Sequence, residues 1–178
     1  MWALSFWCWP FILFLKNRTI PNKNLVAPIT MEIKYITAPE TWSLRHRVMW
    51  PDRPVAFVQL PEDQRGIHLG LHNGEGLVSV VSLFMNGDSA QFRKLATERS
   101  EQGKGHATAL LLKLFSIISE HPTVASLWCD ARKDKMGFYE RLGFAPTSLP
   151  FHKNGLEYVK MERHWHKNST VSSEWRIK

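Results

Sequence analysis

An α/β domain built on a mixed, mostly antiparallel sheet flanked by helices is what the sequence predicts, on three observations. Runs at 67–71, 77–85 and 90–97 are separated by tight-turn signals, the pattern of an antiparallel meander. An amphipathic stretch at 107–118 and then a short apolar run at 124–129 follow. A strand, a helix and a strand therefore come in the order that pairs strands in parallel. A last apolar run at 156–161, entered through Asn154-Gly155, closes the sheet.

Taken in chain order, residues 32–36 alternate and read as a strand. Pro39-Glu40 opens a helix that runs to Met49 and is stopped by Trp50-Pro51. The 51–66 region holds three prolines and reads as loop, with a helical turn around 55–60. Asn73-Gly74 turns the first run into the second, and Asn86-Gly87-Asp88 turns the second into the third. Ala107, Leu110, Leu111, Leu114, Phe115 and Ile118 form the apolar stripe of a helix that His121-Pro122 ends. Asp134 is placed to cap a second helix over 135–142, which Gly143 terminates as a left-handed residue.

The 178 residues, 44% hydrophobic and 12% aromatic, exclude an extended disordered chain, collagen and a disulfide scaffold. A chain of this length buries roughly 70% of its unfolded surface and needs no staple. Cys8 and Cys129 lie far apart and in no CxxC pattern, which reads as a reducing, cytoplasmic setting. The eight histidines show no i, i+4 ligand spacing, so no metal is expected, and His164 and His166 near the tail read as solvated. Net charge is +7, but residues 31–163 carry only +2. A nucleic-acid partner, which needs a continuous basic face, is therefore not expected.

The first 15 residues, MWALSFWCWPFILFL, are uncharged and differ from the rest. The run is shorter than the roughly 20 residues of a membrane span and contains Pro10. It lacks the leading positive charge and the small-residue cleavage site of a signal peptide. It reads as an appendage or a misplaced start, with a membrane anchor and a signal peptide as the alternatives. The expected division is an extension and linker at 1–30, a domain at 31–163 and a flexible basic tail at 164–178. Membrane contact belongs to this reading only through residues 1–15.

The chemically informative stretch is Gln102-Gly103-Lys104-Gly105-His106-Ala107, which joins a strand to the start of the strongest helix. Unpaired amides and the positive end of the helix dipole gather there, and two glycines let backbone approach a bulky anion. The same residues also fit a plain glycine-rich turn. GxxxxGK[ST] is absent, and GxGxxG fails because Thr108 stands at its third glycine.

This stretch resembles the Q/R-x-x-G-x-G/A motif of the GCN5-related N-acetyltransferases. Phe138-Tyr139-Glu140-Arg141-Leu142-Gly143-Phe144 resembles the FYxxxGF segment of the same family. The resemblance covers about 32–163 and implies that the mixed sheet is splayed. It also implies acetyl-CoA as cosubstrate and direct attack by an amine, on a small molecule or a peptide, in a ternary complex. Gln102, Gly103, Lys104, Gly105, His106 and Ala107 would hold the coenzyme pyrophosphate. Leu95, Ala96 and Thr97 would pair with the pantetheine arm through their backbone. Tyr139 would protonate the leaving thiolate, its alternative being a packed aromatic on a helix face.

The sequence departs from the family at two points. Gln91 stands where many relatives carry a basic glutamate, and Arg132 where many carry asparagine, which leaves the base unassigned. Asp130 is a base by position, and equally a helix cap or a partner of Arg132. A non-catalytic acyl-CoA-binding module is the alternative function. Cys129 reads as a buried thiol rather than a nucleophile. Arg45, Arg47 and Trp50 read as acceptor contacts or as a charged helix face with one packed tryptophan. Monomer and homodimer both fit.

Overall fold

The computed structural model describes residues 30–165, and the expectations for 1–29 and 166–178 lie outside the described residues. Eight strands form one sheet in the order β1-β2-β3-β4-β5-β8-β6, with β7 also on β8. They are β1 (Glu32–Ile36), β2 (Ile67–Asn73), β3 (Gly76–Asn86), β4 (Ser89–Thr97), β5 (Ser126–Arg132), β6 (Ala145–Pro146), β7 (Phe151–Lys153) and β8 (Leu156–His164). Every pairing is antiparallel except β4 with β5, so the expected meander and the parallel crossover are both present.

Helices cover both faces of the sheet. The stripe of α2 (His106–Ser119) buries Leu110, Leu111, Leu114, Ile117 and Ile118 against Leu69, Val81, Phe92, Leu127 and Met161. On the other face α1 (Ala38–Met49) sets Leu44 against Val80 and Ala96. Residues 78–83 of β3 are buried without alternation, as a central strand covered on both faces requires. The start of α1 is held by Glu40, whose carboxylate accepts from the Thr37 N–H and hydroxyl, both at 2.6 Å.

The expected turn around 55–60 is a 3-10 turn at Val55–Val58. The strand expected at 124–129 starts later, because Val124 N–H closes a turn onto the His121 carbonyl at 3.1 Å. The second helix is also shorter than expected. Residues Lys133–Lys135 form a 3-10 turn and α3 covers only Met136–Glu140, with Lys135 at its N-cap. Asp134 is therefore no cap. It lies inside the turn, where its backbone is already helical, and its carboxylate sits 2.9 Å from the Lys135 ammonium.

Gly143 stops α3 as expected, at φ +81°. Its N–H bonds the Glu140 carbonyl at 2.9 Å and the Phe144 N–H bonds the Tyr139 carbonyl at 3.1 Å, a Schellman closure. Arg163 on β8 satisfies the Leu142 carbonyl at 2.8 Å. Pairing in β8 continues past Arg163 to His164, and the Trp165 ring packs 5.7 Å from Phe115.

Candidate functional site

Strands β4 and β5 pair only from Ser89–Gln91 to Ser126–Trp128. Beyond Gln91 the first continues to Thr97 and the second to Arg132 with no ladder between them. The sheet splays there, and the edge of β4 that faces β5 is open along Leu95, Ala96 and Thr97. A β-bulge accompanies the divergence. Val80 pairs with Ala96 and Ser82 with Arg93, so Val81 faces two residues, Lys94 and Leu95. Lys94 takes the left-handed conformation, φ +57°, and a bulge of this kind bends its strand. The sequence carries the signal: Arg93-Lys94 followed by Leu95-Ala96 breaks the period of two.

The open edge leads straight into the glycine loop. Glu98 N–H bonds the Val78 carbonyl at 2.8 Å, and the Gln102 side chain donates to the Thr97 carbonyl at 3.0 Å. Gly103 and Gly105 have φ +77° and +85°, and a Cβ on either would meet nothing within 4 Å, so both face open space. The first bond of α2 runs from Ala109 N–H to the Gly105 carbonyl, which leaves the N–H groups of His106, Ala107 and Thr108 without helical acceptors. Glu101, which the sequence reading missed, organises the loop. Its carboxylate lies 2.7 Å from the Lys104 ammonium and 2.9 Å from His106 Nε2. Those contacts, Lys104 first, hold its pKa below the ordinary range.

On the α2 face, Tyr139 of α3 lies beside the strands that diverge. Its ring centroid is 5.9 Å from Phe92 on β4, 6.0 Å from Phe144 and 5.0 Å from Phe138. Burial pushes the phenol well above its ordinary pKa, with Cys129 of β5 adding to the rise and Arg132 opposing it. The Cys129 thiol is buried and raised for the same reason, desolvation first and Asp130 second, as an unreactive core thiol is.

The α1 face carries the charges. Arg45, fully buried, donates to both oxygens of Asp63 at 2.9 and 3.1 Å and to the Ser82 hydroxyl. Asp63 also accepts from the Trp42 indole and the Leu60 N–H, both at 3.0 Å. His68 Nε2 donates to the Asp63 carbonyl at 2.8 Å, and its Nδ1 shares a hydrogen bond with the Ser82 hydroxyl at 2.6 Å. Arg45 is thus a packed ion pair, not an acceptor contact. Arg47 holds Glu98 at 2.9 Å, and Trp50 packs on Phe57 at 5.1 Å.

Gln91 lines a cavity of about 420 Å³ with Glu62, Phe84 and Trp128. Asp130 lies 3.6 Å from Lys153 and caps no helix. It is not the partner of Arg132 either, whose guanidinium stands 5.9 Å over the Trp50 ring. Glu62 pairs with Arg93. Lys94, half-buried, is lowered to about 8 by burial first and then by the charges of Arg45, Arg93 and Lys153. Among the described residues no cluster of His, Cys, Asp or Glu could hold a metal ion, and no helix is long and apolar enough to cross a membrane.

A mixed sheet that opens between its fourth and fifth strands, with a glycine loop and helix N-terminus at the end of the opening, defines the acyl-CoA N-acyltransferase fold. The acetyltransferase (GNAT) domain family matches residues 54–164. The uncharacterized N-acetyltransferase YitI of Bacillus subtilis (strain 168) is 25% identical over 135 residues, covering 71% of this chain and 90% of that one. Escherichia coli ElaA shares the fold at a TM-score of 0.65 and 15% identity, over 76% of this chain and 100% of its own. So does a GNAT family acetyltransferase from Elizabethkingia anophelis solved with acetyl-CoA bound, at 0.59 and 14%, over 76% and 98%. The chain belongs to the GNAT acetyltransferase family.

Proposed function

We propose that the protein transfers the acetyl group of acetyl-CoA to a primary amine, on a small molecule or a peptide, by direct attack in a ternary complex. One observation carries the reading: the open edge of β4 ends at the glycine loop while Tyr139 borders the same gap. The residues fit the cosubstrate. Gly103 and Gly105 leave room for phosphate oxygens, the free amides of α2 and Gln102, Lys104, His106 and Ala107 surround that room, and a helix N-terminus favours the anion. Leu95, Ala96 and Thr97 offer backbone groups to an extended arm.

Acetyl-CoA supplies an acyl group activated as a thioester. A backbone N–H on the β4 edge polarises its carbonyl. The amine nitrogen forms the new C–N bond as the C–S bond breaks, and Tyr139 gives its proton to the departing sulfur. Desolvation keeps the phenol protonated until the thiolate forms beside it, because the setting that disfavours phenolate disfavours thiolate as well. The proton lost by the amine passes through solvent to the tyrosinate and restores it. A buried free thiol at Cys129 fits a reducing, cytoplasmic compartment.

Gln91 favours a second reading, a module that binds acyl-CoA without turnover, since an amide cannot take a proton from the acceptor. Acetyl-CoA consumption against a panel of amines and peptides separates the two. Amine-dependent release of free coenzyme A is expected. Tight acetyl-CoA binding with no release across the panel supports the second reading.

A further inference from the structure

Where β4 leaves β5, the α1 face of the sheet holds a group of cations, and they are not equivalent. Arg45 is bound to Asp63 at 2.9 Å, Arg93 to Glu62, and Lys153 lies 3.6 Å from Asp130. Lys94 feels three of these charges, Arg45, Arg93 and Lys153, offset in part by Asp63, which is itself bound to Arg45; among the described residues it has no ion-pair or hydrogen-bond partner of its own. It is half-buried, where an unpaired ammonium is costly. It also stands at φ +57°, a conformation that disfavours any side chain with a Cβ and that glycine or asparagine would adopt more readily. The bulge thus sets an unpartnered cation within the part of β4 that has parted from β5, immediately before Leu95.

We propose that Lys94 binds a carboxylate on the acceptor, which makes the acceptor a small amino acid whose amine and carboxylate lie a few bonds apart. The proposal rests on the transfer reading for the line of the thioester along Leu95–Thr97. Lys94 precedes that line by one residue in β4. Arg65 is exposed and the Arg132 guanidinium lies over the Trp50 ring at 5.9 Å, so Lys94 is the half-buried cation left to match one negative charge. Glu62, Asp130 and Glu162 stand on the same face and would repel a phosphate dianion. A polyamine brings no anion and would leave the Lys94 ammonium unpaired. The coenzyme's own phosphates are accounted for at the other end of the edge, on the α2 loop. The lowered pKa of Lys94, about 8, is that of the site with no anion beside it, and a bound carboxylate restores the charged form.

The full chain is assayed for acetyl-CoA consumption with matched sets: the common amino acids, their carboxamides, and alkyl amines and polyamines without a carboxylate. In parallel, calorimetry measures binding of N-acetyl amino acids and of their amides to the protein saturated with coenzyme A. Acids are expected to exceed their amides at least tenfold in kcat/KM or in affinity. Lys94→Met is expected to bring that ratio to about one, and Lys94→Arg to keep part of it. Thermal unfolding and coenzyme A binding of each variant report any general damage. Consumption confined to amides, alkyl amines or polyamines, an equal preference in Lys94→Met, or no carboxylate ligand by either method overturns the inference. Lys94-dependent binding of acids without any acetyl-CoA consumption overturns the transfer reading instead and leaves the carboxylate site standing.

Discussion

Replacing Tyr139 by Phe removes one oxygen from a side chain whose ring touches Phe92, Phe138 and Phe144. The aromatic contacts survive, so stability and coenzyme A affinity are expected to change little. Turnover is expected to drop by about 10²-fold or more, the scale of general acid catalysis. Steady-state kinetics beside a denaturation curve checks this, and parallel losses would mark the hydroxyl as structural. The Arg45–Asp63 pair makes the opposite prediction. Asp63→Asn leaves a fully buried guanidinium without its counter-charge and is expected to destabilise the fold by about 3–5 kcal/mol in urea unfolding. Burial alone would raise the Asp63 pKa, but the hydrogen bonds from Arg45, Leu60 N–H and Trp42 outweigh it and the net shift is downward. A depressed folded pKa gives a contribution that is complete above the unfolded value of about 3.9 and is lost as pH falls through the folded one. The native chain should therefore lose stability on acidification below about pH 4, and Asp63→Asn should lose less over that window.

At the scale of elements, the start of α2 does two things with one residue. Gly105 is the N-cap at φ +85° and faces open space. Gly105→Glu imposes left-handed strain of about 1–2 kcal/mol. It also sets a carboxylate where phosphate oxygens would lie. Coenzyme A affinity is expected to fall at least tenfold by calorimetry, a change of about 1.4 kcal/mol. Unchanged affinity in a folded variant would remove the loop from the binding site. Helix α3 is short, and its closure at Gly143 and the Arg163 bond to Leu142 hold Tyr139 against β4.

For the whole molecule, the sheet is complete from Glu32 onward, and the family match begins later still, at residue 54. A chain starting at Met31 is therefore expected to fold, to unfold at the same temperature as the full chain and to bind acetyl-CoA equally. A lower unfolding midpoint or weaker binding would mean that Trp2, Trp7 and Phe11 pack on the domain.

Local chemistry was enough for most elements and for the glycine loop. The Asn73-Gly74 and Asn154-Gly155 turns, the stripe from Ala107 to Ile118 and the glycines at 103, 105 and 143 act through their nearest neighbours, so a few residues of sequence determine them. The helix expected over 135–142 is shorter at both ends, because Lys133–Lys135 form a 3-10 turn before it and the Gly143 closure ends it at Glu140, a choice among local alternatives that the residues alone left open. Only the tertiary structure decided the rest. The left-handed Lys94 follows from how β3 registers against β4, and the open edge at Leu95–Thr97 from where β4 and β5 part. Arg45 looked like a surface charge on α1 until Asp63, 18 residues on, and Ser82, 37 residues on, closed around it. Strand register and buried ion pairs belong to two distant segments at once, and no window of sequence contains both partners.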